Sequence, residues 1–134
     1  MRKMNIYILL AIKVIIFALV IFFLATSVKA MDKPNIYGKP VEFEATAYCH
    51  TGNPTKSGVY PLEGRTIAVD PDIIPLGSTV LVYTEDMELL GIFQAEDTGG
   101  AVKGKIIDIY MQLENDCLEW GRQKVLVQVV QAEG

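Results

Sequence analysis

The chain has 134 residues, 51% of them hydrophobic, with 12 basic and 16 acidic side chains and a formal net charge of −4. The charge is unevenly divided: residues 1–30 carry Arg2, Lys3, Lys13 and Lys29 and no acid, whereas residues 31–134 hold eight basic against sixteen acidic side chains. An acidic body of about 100 residues has room for one core and not two, and it repels phosphate backbones, which argues against nucleic acid as a partner.

The first predicted element is a hydrophobic helix. Arg2 and Lys3 precede an apolar run over residues 6–25, interrupted once by Lys13. Its unbroken part, residues 14–25, has the length of a signal-peptide core and falls short of the ~20 residues of a full span. Val28-Lys29-Ala30 and Ala25-Thr26-Ser27 both offer small residues for cleavage. If Lys13 snorkels, residues 6–24 instead cross the membrane as a retained anchor. Residues 1–30 thus read as a signal peptide or a transmembrane anchor, and both export the acidic body. A buried soluble helix does not fit a run that is apolar on every face. Residues 31–40 (MDKPNIYGKP), with two prolines and a glycine, read as a linker into a domain at 41–134.

Six strand-like stretches come next, at 41–48, 66–70, 79–83, 89–96, 106–111 and 125–130, separated by turn chemistry such as Gly52-Asn53-Pro54 and the stretch from Thr98 to Gly104. One short helix is predicted over 113–120, with Leu113, Cys117 and Trp120 spaced to share a face and Gly121 as its C-cap. Six strands and one helix in so short a domain predict an all-β barrel, because closure removes exposed edges. A two-sheet sandwich fits the same string.

In an exported domain Cys49 and Cys117 meet a non-reducing compartment, and their separation in sequence leaves open either a disulfide or two buried thiols. There is no CxxC, and His50 is the sole histidine. Zinc sites of the Cys/His type and Ser-His-Asp or Cys-His machinery are therefore poorly supported.

Carboxylates carry the remaining chemistry. In the strand 106–111, alternation puts Ile107, Ile109 and Met111 on one face and Ile106, Asp108 and Tyr110 on the other. The first set is the core face. Asp108 then stands between an isoleucine and a tyrosine, where partial desolvation raises a carboxyl pKa as a general acid requires; an ordinary solvated strand aspartate fits the pattern too. Asp97 ends the preceding strand and opens the loop Thr98-Gly99-Gly100-Ala101-Val102-Lys103-Gly104. Its glycines permit positive φ and close approach of a ligand, so Asp97 and Asp108 can share a cleft, or Asp97 can simply bond turn amides. Asp70, before Pro71, is either a loop-ordering residue or a third member of the site. Thr46, Tyr48, Thr55 and Ser57 supply hydroxyls suited to sugars and equally ordinary in β proteins. Asp97-Thr98-Gly99 also spells the aspartic-protease motif, but charged Glu96 precedes it and the chain holds no second copy.

Taken in order, Ala45-Thr46-Ala47-Tyr48-Cys49, Thr55-Lys56-Ser57-Gly58, Ile67-Ala68-Val69-Asp70-Pro71, Ile74-Pro75-Leu76-Gly77, residues 96–104 and Ile107-Asp108-Ile109-Tyr110 resemble the 3D domain, named for three aspartates. The resemblance covers nearly all of residues 43–130. It implies a six-stranded double-psi β-barrel similar to the catalytic core of membrane-bound lytic transglycosylase A-type enzymes. These cleave the MurNAc–GlcNAc β-1,4 bond of peptidoglycan without water. Carried over by position, Asp108 is the principal catalytic acid, Asp97 the second aspartate of the cleft, and Asp70 a third, more structural one. Thr46, Tyr48, Thr55, Ser57, Gly99, Gly100 and Lys103 fall in supporting or substrate-binding positions. Lys56 departs from the small residue that many members carry there. The scheme needs no metal or cofactor; its partner is the peptidoglycan glycan strand, met outside the cytoplasmic membrane. Two other readings share the architecture, a non-catalytic wall-glycan-binding module and an inverting glycoside hydrolase.

Overall fold

The computed structural model describes residues 5–30, 36–49 and 51–130; residues 31–35 of the expected linker and His50 lie outside them. The chain divides into two units, Met1–Lys33 and Pro34–Gly134. In the first, α1 (Ile6–Ala30) is a 25-residue helix, exposed along Ile6–Phe23 and long and apolar enough there to cross a membrane. At 1.5 Å per residue it measures about 37 Å, against a hydrocarbon core of about 30 Å.

The second unit is built on β1 (Val41–Cys49), β2 (Thr66–Val69), β3 (Thr79–Tyr83), β4 (Leu89–Asp97), β5 (Ile106–Met111) and β6 (Gln123–Val130), with α2 (Glu114–Trp120) before the last strand. The strands close in the order β1-β5-β2-β4-β3-β6, a closed barrel rather than a sandwich. β1 with β5 and β2 with β4 run parallel, and the other four pairings are antiparallel. Every strand has two partners, so the ring has no open edge.

Period-two alternation fills the interior. Phe43 and Ala45 of β1, Ile67 and Val69 of β2, Val80 and Val82 of β3, Phe93 and Ala95 of β4, Ile107 and Ile109 of β5, and Val125, Val127 and Val129 of β6 are all buried in one cluster. Each fully buried valine or isoleucine contributes about 1.5–3 kcal/mol. Ile36 joins this cluster at 1% exposure, although it lies in the stretch read as a linker. Tyr37 bridges to Val129, whose N–H donates to the Ile36 carbonyl at 2.9 Å. An apolar side chain next to an extended backbone thus extends the barrel rather than spacing it.

α2 packs on β1 and β5. Trp120 lies against the core and its Nε1 donates to the Ala45 carbonyl at 3.3 Å. Gly121, at φ +62°, ends the helix with its N–H on the Cys117 carbonyl. Leu113, expected on the packed face, is 61% exposed. The helix starts one residue later than expected, and Leu113 is its N-cap with extended backbone.

Candidate active site

Asp108 stands on the outer face of β5, as the alternation predicts, with Ile107 and Ile109 buried on either side of it. Parallel pairing sets Thr46 of β1 opposite, and the Thr46 hydroxyl donates to Asp108 Oδ1 at 2.9 Å. The Asp108 carboxyl is held above its ordinary value of 3.8: burial raises it, the Thr46 hydrogen bond opposes, and the Asp97 charge raises it again. Tyr110, two residues on, is buried and not merely flanking, and its ring meets that of Tyr48 edge-on at 5.5 Å.

Asp97 reaches the same face through an irregularity. Along β4, Phe93 and Ala95 point inward, so strict alternation would turn Asp97 inward as well. Between β2 and β4 the register slips: Ile67 pairs with Ala95, but Ala68 pairs with Asp97, leaving Glu96 as the extra residue. Such bulges re-aim side chains near functional sites. Glu96 turns to Thr66 and Arg65, accepting from Thr66 Oγ1 at 2.7 Å and Arg65 Nε at 3.1 Å. Asp97 then receives three donors, the Lys56 and Thr98 N–H groups on Oδ1, each at 2.9 Å, and Tyr48 Oη on Oδ2 at 3.1 Å. Burial, then the Asp97 charge, pushes the Tyr48 hydroxyl far up, so it stays a donor.

Ala68 is the floor between the two aspartates. It pairs with Asp97 on one side and Asp108 on the other, which sets their Cα atoms ~10 Å apart across two strand spacings. Its methyl leaves the space open. The result is a cleft of about 330 Å³ lined by Tyr48, Thr51, Pro54, Ala68, Asp97, Thr98, Gly99 and Asp108. At Gly99 a Cβ would lie 2.9 Å from Cγ2 of buried Val102, so any side chain there forces Val102 to shift.

The other expected residues divide by role. Asp70 is 8% exposed and braces loops: Oδ2 accepts from the Gly104 N–H at 2.7 Å and Oδ1 from the Asp72 N–H at 3.0 Å. The Gly104 bond, against the opposing effect of burial, holds its carboxyl below the ordinary value, with smaller help from Asp72 and the Lys103 charge. Thr55 is buried and its hydroxyl donates to the Val59 carbonyl, closing a turn. Ser57, Gly100 and Lys103 are exposed and are not among the cleft-lining residues. Cys49 and Cys117 are free thiols, and burial, then the nearby Cys49, pushes the Cys117 thiol up to about 12. Sequence reasoning assigns no site role to Ala68, Thr51, Pro54, Glu96 or Arg65. A lone alanine in the buried run Thr66-Ile67-Ala68-Val69 is the available signal for the first.

Residues 65–131, half of the chain, match the family model described as the 3D domain. The chain belongs to the 3D domain family. Among its relatives is a protein named cell wall-binding protein YocH of Bacillus subtilis (strain 168), 46% identical over 66 residues, covering 49% of this chain and 21% of YocH. A second, the putative cell wall shaping protein YabE of the same organism, is 34% identical over 101 residues, covering 69% of this chain and 23% of YabE. The chain thus spans under a quarter of the length of these two relatives. In structure it is similar to the crystal structure of MltA from E. coli, with TM-score 0.52 and 26% identity over 62% of this chain and 28% of that one. The MltA structure with bound chitohexaose aligns at TM-score 0.51, covering 60% of this chain and 28% of that one.

Proposed function

We propose that this chain is an exported peptidoglycan lytic transglycosylase, with Asp108 as its acid and then its base. One observation carries the reading: a half-buried carboxyl, raised by burial and by Asp97, opens onto a cleft whose other wall is Asp97. Structural similarity to MltA, described both as a lytic transglycosylase and with chitohexaose bound, supports a glycan strand as the ligand. The two parallel pairings, β1 with β5 and β2 with β4, support a double-psi form of the barrel. Helix α1 and the wall-related relatives support a place outside the cytoplasmic membrane, reached by a signal peptide or an anchor at residues 1–30.

In the proposed mechanism protonated Asp108 donates to the glycosidic oxygen as positive charge develops at the MurNAc anomeric carbon. The leaving GlcNAc departs with that proton. The Asp108 carboxylate then takes the proton of the same MurNAc's C6 hydroxyl, whose oxygen closes on C1 to give the 1,6-anhydro ring. One carboxyl serves both steps because the nucleophile belongs to the substrate; a hydrolase needs a second carboxylate that activates water or attacks C1. Asp97, which accepts from Tyr48 and two backbone N–H groups, raises Asp108 by its charge rather than moving a proton itself. Thr46 orients the acid.

The name of YocH favours a second reading, in which the cleft holds wall glycan without cutting it. Mass spectrometry of purified peptidoglycan treated with the full chain in detergent, beside Asp108→Asn, decides between them. Asn keeps the acceptor for Thr46, so folding persists while turnover falls roughly 10²–10⁴-fold. Products ending in 1,6-anhydroMurNAc and lost in the variant support the transglycosylase. Products heavier by one water indicate hydrolysis, and glycan binding with no product indicates the binding module.

A further inference from the structure

A second cavity, of about 260 Å³, lies farther along β5, lined by Tyr60, Pro61, Leu62, Glu63, Tyr110 and Gln112. Its relation to the cleft comes from alternation. Asp108 and Tyr110 share the outer face, one side-chain repeat of ~7 Å apart, and Gln112 comes next just beyond the strand. The Tyr48–Tyr110 ring pair stands between the two spaces, Tyr48 lining the cleft and Tyr110 the second cavity.

The loop that forms the outer wall is held in place from several sides. Arg65 Nη2 donates to the Tyr60 carbonyl at 2.9 Å while its Nε holds Glu96, the residue next to Asp97. The Leu62 N–H donates to Thr66 Oγ1 at 3.0 Å, and the Leu62 carbonyl accepts from the N–H groups of Arg65 and Thr66. Glu63 Oε2 accepts from the Gln112 N–H. On this braced loop Tyr60 remains 64% and Leu62 54% exposed. A fixed loop that displays an aromatic ring offers contact area at low entropic cost. Glu63 beside it supplies acceptors for hydroxyl donors and opposes anions.

We infer that this cavity is a second saccharide subsite, in which one N-acetylhexosamine of the strand engaged by the Asp108 cleft packs on Tyr60 and donates a hydroxyl to Glu63. The inference rests on the glycan reading proposed above and extends it to strand length. The strand runs along β5, and oligosaccharides long enough to fill both spaces bind more tightly than short ones.

Calorimetry with chitotriose and chitohexaose tests this on the full chain in detergent, in an Asp108→Asn background that prevents turnover. Tyr60→Ala is expected to weaken chitohexaose binding about tenfold and to erase its advantage over chitotriose, while Tyr60→Phe preserves both. The exposed position of Tyr60 and its retained backbone carbonyl keep the fold of the alanine variant, which a melting curve checks. Unchanged chitohexaose affinity in Tyr60→Ala overturns the subsite, as does a parent chain that binds both sugars equally or neither. Tyr60-dependent binding by a chain that forms no anhydro product keeps the subsite and removes the transglycosylase step. Anhydro product together with Tyr60-independent binding does the reverse.

Discussion

Thr46→Val and Asp97→Asn perturb the same carboxyl in opposite directions. Asp108 is raised by burial and by the Asp97 charge, and is pulled back by the hydrogen bond from Thr46. An acid catalyst with a raised pKa stays protonated to higher pH and loses activity as pH climbs through that value. Valine keeps the shape of Thr46 and deletes the donor, so the carboxylate form of Asp108 loses its partner and the alkaline limb of the rate profile moves up. A buried hydrogen bond to a charged group contributes about 1.5–3 kcal/mol; for half-buried Asp108, solvent screening reduces this to about 1 kcal/mol. That is roughly a 5-fold gain in rate on the alkaline side, relative to the variant's own plateau. Asp97→Asn retains an oxygen for the Lys56 and Thr98 N–H groups and removes the like charge, so its limb moves down. Initial rates of anhydro-product release from peptidoglycan across pH, with melting curves as a folding control, measure both. Limbs that move together, or not at all, refute the reasoning.

Ala68→Leu is expected to abolish glycan binding and turnover together, since its side chain fills the gap between Asp97 and Asp108; near wild-type saccharide affinity by calorimetry would contradict the cleft. Asp70→Ala removes a buried acceptor from two backbone N–H groups and should cost about 1–3 kcal/mol, or several degrees in Tm for a domain of about 100 residues. Because folding lowers the Asp70 pKa, its ionic contribution is present at neutral pH and is lost as pH falls through the lowered folded-state value. The Tm gap between wild type and Asp70→Ala therefore narrows in acid, and a gap that widens there would count against the loop-bracing role.

Much of this protein is written in residue order alone. The apolar run that becomes α1, the turn residues between strands, and the alternation that buries Ile107 and Ile109 while leaving Asp108 outside all arise from local pattern, because side-chain period and φ preference are properties of short segments. Gly121 as the stop of α2 is legible for the same reason. Ile36 reads as linker because two nearby prolines and a glycine signal a spacer, whereas its burial depends on Val129 of β6, more than 90 positions away. The candidate site, by contrast, is assembled by contacts between distant segments. The slip at Glu96 turns Asp97 onto the face of Asp108 against strict alternation, and the strand order sets both beside Ala68. Tyr48 and Thr46 acquire their different carboxylates through the pairing of β1 with β5 and the closure of the ring. These are relations between segments 28 to 62 residues apart, and barrel register, not local propensity, is the physical quantity that determines them.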